Sequence, residues 1–203
     1  MNIKSHLSEV AASNGIAATS LQLPDCELDA QKVKVIMINE VPPQNPDDYF
    51  YSNAPAPDYM KTTLGLFGQA GVAVKSIQDI LDLGIYITTA VKTPKTGYTV
   101  EASLIKAHLP ILEAELALFP NLRVIMLNGD VAKKAVNMIA KARTKKNAIP
   151  AGSTYKIRAA EFYWEGIRVF PSYIMTGGNI LIEKSKCEMI AEDICRIMEF
   201  IQT

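Results

Sequence analysis

Four short stretches hold the residue types that do chemistry. Asn39-Glu40-Val41-Pro42-Pro43 sets an amide and a carboxylate beside two prolines, and Lys92-Thr93-Pro94-Lys95 brackets a proline with ammonium groups. Asn128-Gly129-Asp130 joins an amide to a carboxylate across a glycine, and Pro171-Ser172-Tyr173 offers two hydroxyls. Carboxylates and amides serve proton transfer and paired hydrogen bonding, and lysines attract anions. Each stretch ends an apolar, largely β-branched run: Val33–Ile38, Ile85–Val91, Arg123–Leu127 and Ile167–Pro171. These runs lack clean polar alternation, which is how strands covered on both faces read. Glu40 is therefore a charge at the mouth of a strand that should be buried.

Helical patterns separate the strands. Over Glu101–Phe119 the residues Leu104, Ile105, Leu112, Leu116 and Phe119 form an apolar stripe, with Pro110 either kinking the helix or starting its second half. Asp130 is placed to cap a helix through about Lys141, and residues 61–82 hold two short helices broken around Gly71. Ser185 with Glu188 reads as a capping box for a last helix that buries Ile190, Ile194, Ile197 and Ile201. Strands alternating with helices imply right-handed crossovers: a three-layer α/β/α sandwich on a mainly parallel four-stranded central sheet. The segments 155–164 and 167–171, joined at Glu165-Gly166, could add an edge hairpin. Residues 140–153 read as an exposed basic loop. In such a sheet ligands bind at the carboxyl ends of the strands, where the four chemical stretches lie.

Composition limits the alternatives. At 203 residues, 49% of them hydrophobic, the chain suits one domain over residues 1–203, with residues 1–30 expected to be a variable N-terminal extension. Lys+Arg and Asp+Glu are both 21, so there is no global field for nucleic acid or an anionic membrane, and any contact must be a local patch. The three cysteines, Cys26, Cys187 and Cys195, are scattered and odd in number, which fits a reducing compartment, the cytoplasm. No segment has the apolar length of a signal peptide or membrane span. His108 falls inside a helix and His6 near the start, so both are expected to be structural or surface residues. The run Arg143-Thr144-Lys145-Lys146 is expected to be a solvated face.

From Tyr86 to Val136, "YITTAVKT" and then "LPILEAELALFPNLRVIMLNGDVAKKAV", the chain resembles the uracil-DNA glycosylase superfamily, most closely its family four. The order of elements matches from Val33 to the last helix. The resemblance implies DNA repair by base excision: a hydrolase that cleaves the N-glycosidic bond of a flipped damaged base, with uracil the first candidate. DNA carrying uracil or damage would be the partner, and the protein would act as a monomer, off the membrane. With the prolines as register, the family's first motif falls on residues 39–43 and makes Glu40 the group that orients the attacking water; a second register would give that polar role to Asn39. Phe50 and Tyr51 sit where family members stack a ring on the base. Thr89 takes the place of the asparagine that pairs with uracil, and a hydroxyl cannot reproduce an amide's donor and acceptor. Phe170 replaces the late-motif histidine. Pro171, Ser172 and Tyr173 match the loop that compresses DNA, with Tyr173 or Ile174 as the wedge, and Lys92, Lys95, Lys184 and Lys186 are candidate phosphate contacts. Three cysteines cannot hold the family's iron–sulfur cluster, so no metal or cofactor is expected. The alternatives are a non-cleaving nucleic-acid or nucleotide binder, or a glycosylase for a different base.

Overall fold

The computed structural model describes residues 1–202. The sheet comprises β1 (Val35–Asn39), β2 (Ile85–Thr89), β3 (Val124–Asn128), β4 (Phe162–Trp164) and β5 (Ile167–Ser172), in the order β2-β1-β3-β5-β4. Every pairing is parallel except that of β4 with β5. The expected four strands become five because the edge hairpin forms. Glu165 and Gly166, with φ of 51° and 82°, make the two positive-φ positions of a tight turn whose twist suits a hairpin. Within residues 155–164 only the last three are strand; Thr154–Ile157 is a short helix, α6.

β1, β2 and β3 are buried along their whole length, which is why they carry no polar alternation. The layers that bury them are α1 (Ile3–Ser13), α4 (Ala102–Ala117) and α5 (Asp130–Thr144), which pack in series, and α2 (Asp58–Gln69) with α7 (Lys184–Gln202), which pack together. A short α3 (Ile77–Asp82) leads into β2. The result is a three-layer α/β/α sandwich. α1 is tied down by the Asn2 side chain, which accepts the Ser5 N–H, and it buries Ile3, Leu7 and Ala11 completely. Ile3 and Leu7 each contribute roughly 1.5–3 kcal/mol by leaving water.

Three local expectations are corrected. α4 runs unbroken through Pro110. α7 starts at Lys184, so Ser185 already lies within the helix and cannot cap it. α5 extends to Thr144, and the following segment buries Ala148 and Ile149 because the Asn137 side chain bonds both the N–H and the carbonyl of Ile149 at 3.0 Å.

The strand order places the site. From β1 the chain crosses to β2 on one side, and from β2 it returns past β1 to β3 on the other. The crevice outside the carboxyl ends of β1 and β3 is the topological switch point, the place where open α/β sheets bind ligands. Asn39 and Glu40 leave β1 there, and Asn128 and Gly129 leave β3 beside them.

Candidate active site

Glu40 is half-buried, and its Oε1 accepts the Val131 N–H at 3.0 Å. Val131 lies in the first turn of α5, so a carboxylate from β1 satisfies one of the helix's otherwise unpaired donors. The sequence assigned that cap to Asp130. Instead Asp130 is the first helical residue and pairs with Lys133, leaving Glu40 to cap. Gly129 makes the approach possible. Its φ is 102°, and an added Cβ would stand 2.5 Å from Glu40 Oε1 and 2.7 Å from Ile174 Cγ1.

Glu40 forms one wall of a cleft of about 760 Å³ that also includes Tyr59, Lys95, Tyr173, Ile174 and Thr176. The Tyr59 hydroxyl donates to the Val41 carbonyl at 3.3 Å, and Phe50 braces its ring edge-on at 5.3 Å. Burial raises the Tyr59 pKa, which keeps the hydroxyl a donor. A second concavity shares Val41, Tyr59, Lys95 and Asn179 and runs on past Pro42, Pro43 and the fully exposed Tyr98. The carboxylates of Asp130 and Glu183 on the rim are taken by Lys133 and Lys186. Lys95 has no ion-pair partner among the described residues, so it is the cleft's one unpaired cation there.

Beneath this wall lies a layer of buried polar groups. Asn39 Nδ2 donates to the Thr88 carbonyl at 3.5 Å, and Asn39 Oδ1 accepts from Asn128 Nδ2 at 3.4 Å. Asn128 Nδ2 also points at Met175 Sδ, 3.1 Å away, while Asn128 Oδ1 has no partner. The Tyr49 and Thr89 hydroxyls lie near each other, yet neither closes a hydrogen bond of good geometry. Burial and the charge of Glu115 hold the Tyr49 pKa well above the usual phenol range.

Several sequence assignments are relocated. Phe50 and Tyr51 are buried in the core, where the Tyr51 hydroxyl donates to the Ile87 carbonyl at 2.7 Å; Tyr59 is the aromatic that reaches the cleft. Thr89 is fully buried at the end of β2, below the cleft. Pro171 and Ser172 belong to β5, and the Ser172 hydroxyl donates to Asp193 of α7 at 2.7 Å, so of this trio only Tyr173 lines the cleft. Phe170 lies under the guanidinium groups of Arg168 and Arg196, at 4.5 and 5.3 Å, turned towards α7. Lys184 is exposed at the start of α7, outside the cleft lining, while Lys186 lines it with its ammonium 5.7 Å from the Tyr173 ring.

Lys92 is the largest departure from the sequence reading. It is fully buried, paired with Glu115, and donates to the Thr88 hydroxyl at 2.7 Å and the Thr89 carbonyl at 2.6 Å. Glu115 in turn accepts from Tyr86 and Thr88 at 2.7 and 2.6 Å. Nδ1 of His108 accepts the Lys92 backbone N–H at 3.2 Å. Burial, and then the Lys92 charge, push the His108 pKa down to about 4. Sequence reasoning missed Glu115, although a signal existed: Ile105, His108, Leu112 and Glu115 share one helical register, so both polar residues sit in the buried stripe.

No family model matches the chain, and no curated protein matches it. Among solved structures it is similar to a mutant of UNG from Nitratifractor salsuginis, at 12% identity over 95% of this chain and 86% of that one, with a TM-score of 0.42. It is likewise similar to the wild-type UNG from the same organism, at 14% identity over 93% and 84%, again with a TM-score of 0.42. At such identity the function has to be read from the cleft itself.

Proposed function

We propose that the chain is a DNA base-excision hydrolase that breaks the N-glycosidic bond of a base flipped out of the strand, uracil being the first candidate. The observation that carries this reading is the fixed carboxylate of Glu40 at the switch point, facing a cleft large enough for a nucleoside and sharing it with the Tyr59 ring. In the reaction the base leaves with the electrons of the C1′–N bond, and positive charge develops on the sugar. A carboxylate on that face stabilises the charge and orients a water. The water oxygen bonds to C1′, its proton passes to Glu40 or to solvent, and the departing base takes up a proton. Tyr59 supplies a stacking surface, and Lys95 contacts a phosphate.

A non-cleaving reader of nucleic acid or nucleotides is the second reading. Phe170 favours it, because the end of β5 presents an aromatic turned to α7 in place of a donor for the departing base. Incubation with uracil-containing single- and double-stranded oligonucleotides separates the two. Abasic sites that depend on Glu40 support the hydrolase, whereas salt-sensitive binding without base release supports the reader.

A further inference from the structure

Asn128 is fully buried at the carboxyl end of β3, one residue before the glycine that lets Glu40 approach. A buried amide normally has partners for both its oxygen and its nitrogen. Here Oδ1 has none, and the partners of Nδ2 are Asn39 Oδ1 at 3.4 Å and the thioether of Met175 at 3.1 Å. A thioether is a weak acceptor. Both ends of the amide are therefore available to a better partner.

The orientation of that amide is fixed by a backbone group. The Thr88 carbonyl can only accept, so the Asn39 amide turns its Nδ2 to it and its Oδ1 to Asn128, which must answer with Nδ2. Asn128 thus presents an acceptor and a donor side by side in a set order. The thioether in front of it belongs to the loop that follows β5. Ile174 and Thr176, on either side of Met175, line the cleft, while Met175 itself is 1% exposed and points inward. Two residues further on, Gly177 has a φ of 88°, a conformation that few other residues adopt readily.

We propose that Asn128 is the specificity-determining residue of the cleft: its amide takes the lactam edge of a base, a ring N–H beside a carbonyl, after the Met175 side chain withdraws. This rests on the base-directed reading above. Uracil, thymine and hypoxanthine carry such an edge, whereas cytosine presents the reverse order of donor and acceptor. Asn128 then completes its hydrogen bonds when the base is bound, while Asn39 keeps the partners it already has. A site built this way rejects a ligand with the wrong edge strongly, since its buried groups are left unpaired.

The test reads binding without cleavage. The side-chain amide signals of uniformly ¹⁵N-labelled protein are followed by NMR during titration with free uracil and, separately, free cytosine. Asn128 is assigned by the loss of its signals in Asn128→Leu or, should that variant not fold, through backbone connectivity in the wild type. Uracil is expected to move the Asn128 signals, at least threefold lower concentrations should suffice in Met175→Ala, and cytosine should leave them in place. Signals unmoved by uracil in both proteins, or moved equally by cytosine, overturn the assignment. Shifts without any cleavage of uracil-containing DNA would remove the hydrolase and keep the reader residue. Glu40-dependent cleavage with unmoved Asn128 signals would do the reverse.

Discussion

Glu40 and Val131, 91 residues apart in sequence, are joined by a 3.0 Å hydrogen bond from the Val131 N–H to Glu40 Oε1. That bond ties the end of β1 to the start of α5 and aims the carboxylate at the cleft. Gly129 is what leaves room for it. In Gly129→Ala the new Cβ would stand 2.5 Å from Glu40 Oε1 on a backbone with φ of 102°, so the carboxylate must move and the turn is strained. Strain of this kind costs on the order of 1–3 kcal/mol. The variant should melt several degrees lower and lose at least tenfold in single-turnover base release. Wild-type melting and release in Gly129→Ala would show that the close approach does not matter.

Lys92 and Glu115 form a fully buried ion pair, and removing one partner leaves an uncompensated charge in the core. Lys92→Met should destabilise the fold by about 3–5 kcal/mol. Adding Glu115→Gln in the same chain should recover at least half of that, because the remaining group is neutral and still accepts from Tyr86 and Thr88. Urea denaturation of the two single variants and the double variant measures the coupling. A single-variant cost below about 1 kcal/mol would contradict the burial of this pair.

His108 gives the core a pH dependence with a definite sign. Its folded pKa is about 4 against an ordinary 6.5, so between these values the unfolded chain binds a proton that the native protein refuses. The stability this group contributes is therefore complete above pH 6.5 and is lost as the pH falls towards 4. The gap amounts to at most about 3 kcal/mol. The difference in unfolding free energy between wild type and His108→Gln should shrink over that window and stay constant above it. A flat difference from pH 7.5 to 4 would rule the buried neutral imidazole out.

Tyr59, not Phe50 or Tyr51, is the ring that lines the cleft. Tyr59→Ala should weaken binding to single-stranded DNA by about 1–3 kcal/mol, or roughly 5- to 150-fold. Tyr59→Phe should retain most of the affinity, because the ring stays while only the hydroxyl's contacts with the Val41 carbonyl and Thr176 are lost. Fluorescence anisotropy with a labelled oligonucleotide provides the comparison. Equal weakening in both variants would mean that the hydroxyl, and not the ring face, makes the contact.

The fold was readable in the sequence because buried parallel strands advertise themselves: β1, β2 and β3 are continuous apolar runs, observed within two residues of their expected limits. The edge strand β4 was seen only as an alternative, since three aromatic residues are too short a run to separate from a loop. The site was half legible. Glu40 and Tyr173 line the cleft as their strand-end positions suggested. Lys92 could not be placed correctly, because its burial depends on a carboxylate 23 residues further on, and the register of α4 against β2 is a tertiary fact. Phe50 and Tyr51 failed for a related reason: distance along the chain from the loop after β1 does not say on which side of the loop a ring falls. Asn128 stands at a strand end with no role legible in the sequence, since a lone asparagine before a glycine carries no signal until its missing partners are seen.

On the proposed reading Glu40 works on a glycosidic bond. Single-turnover release of uracil from a labelled oligonucleotide, wild type against Glu40→Gln, is the deciding measurement. Glutamine keeps an oxygen for the Val131 N–H, so the cleft should stay intact and only the charge disappear. Wild-type release that falls by at least tenfold in Glu40→Gln, with DNA affinity unchanged, is the predicted result. Equal release from the two proteins, or none from either with DNA bound, would contradict it.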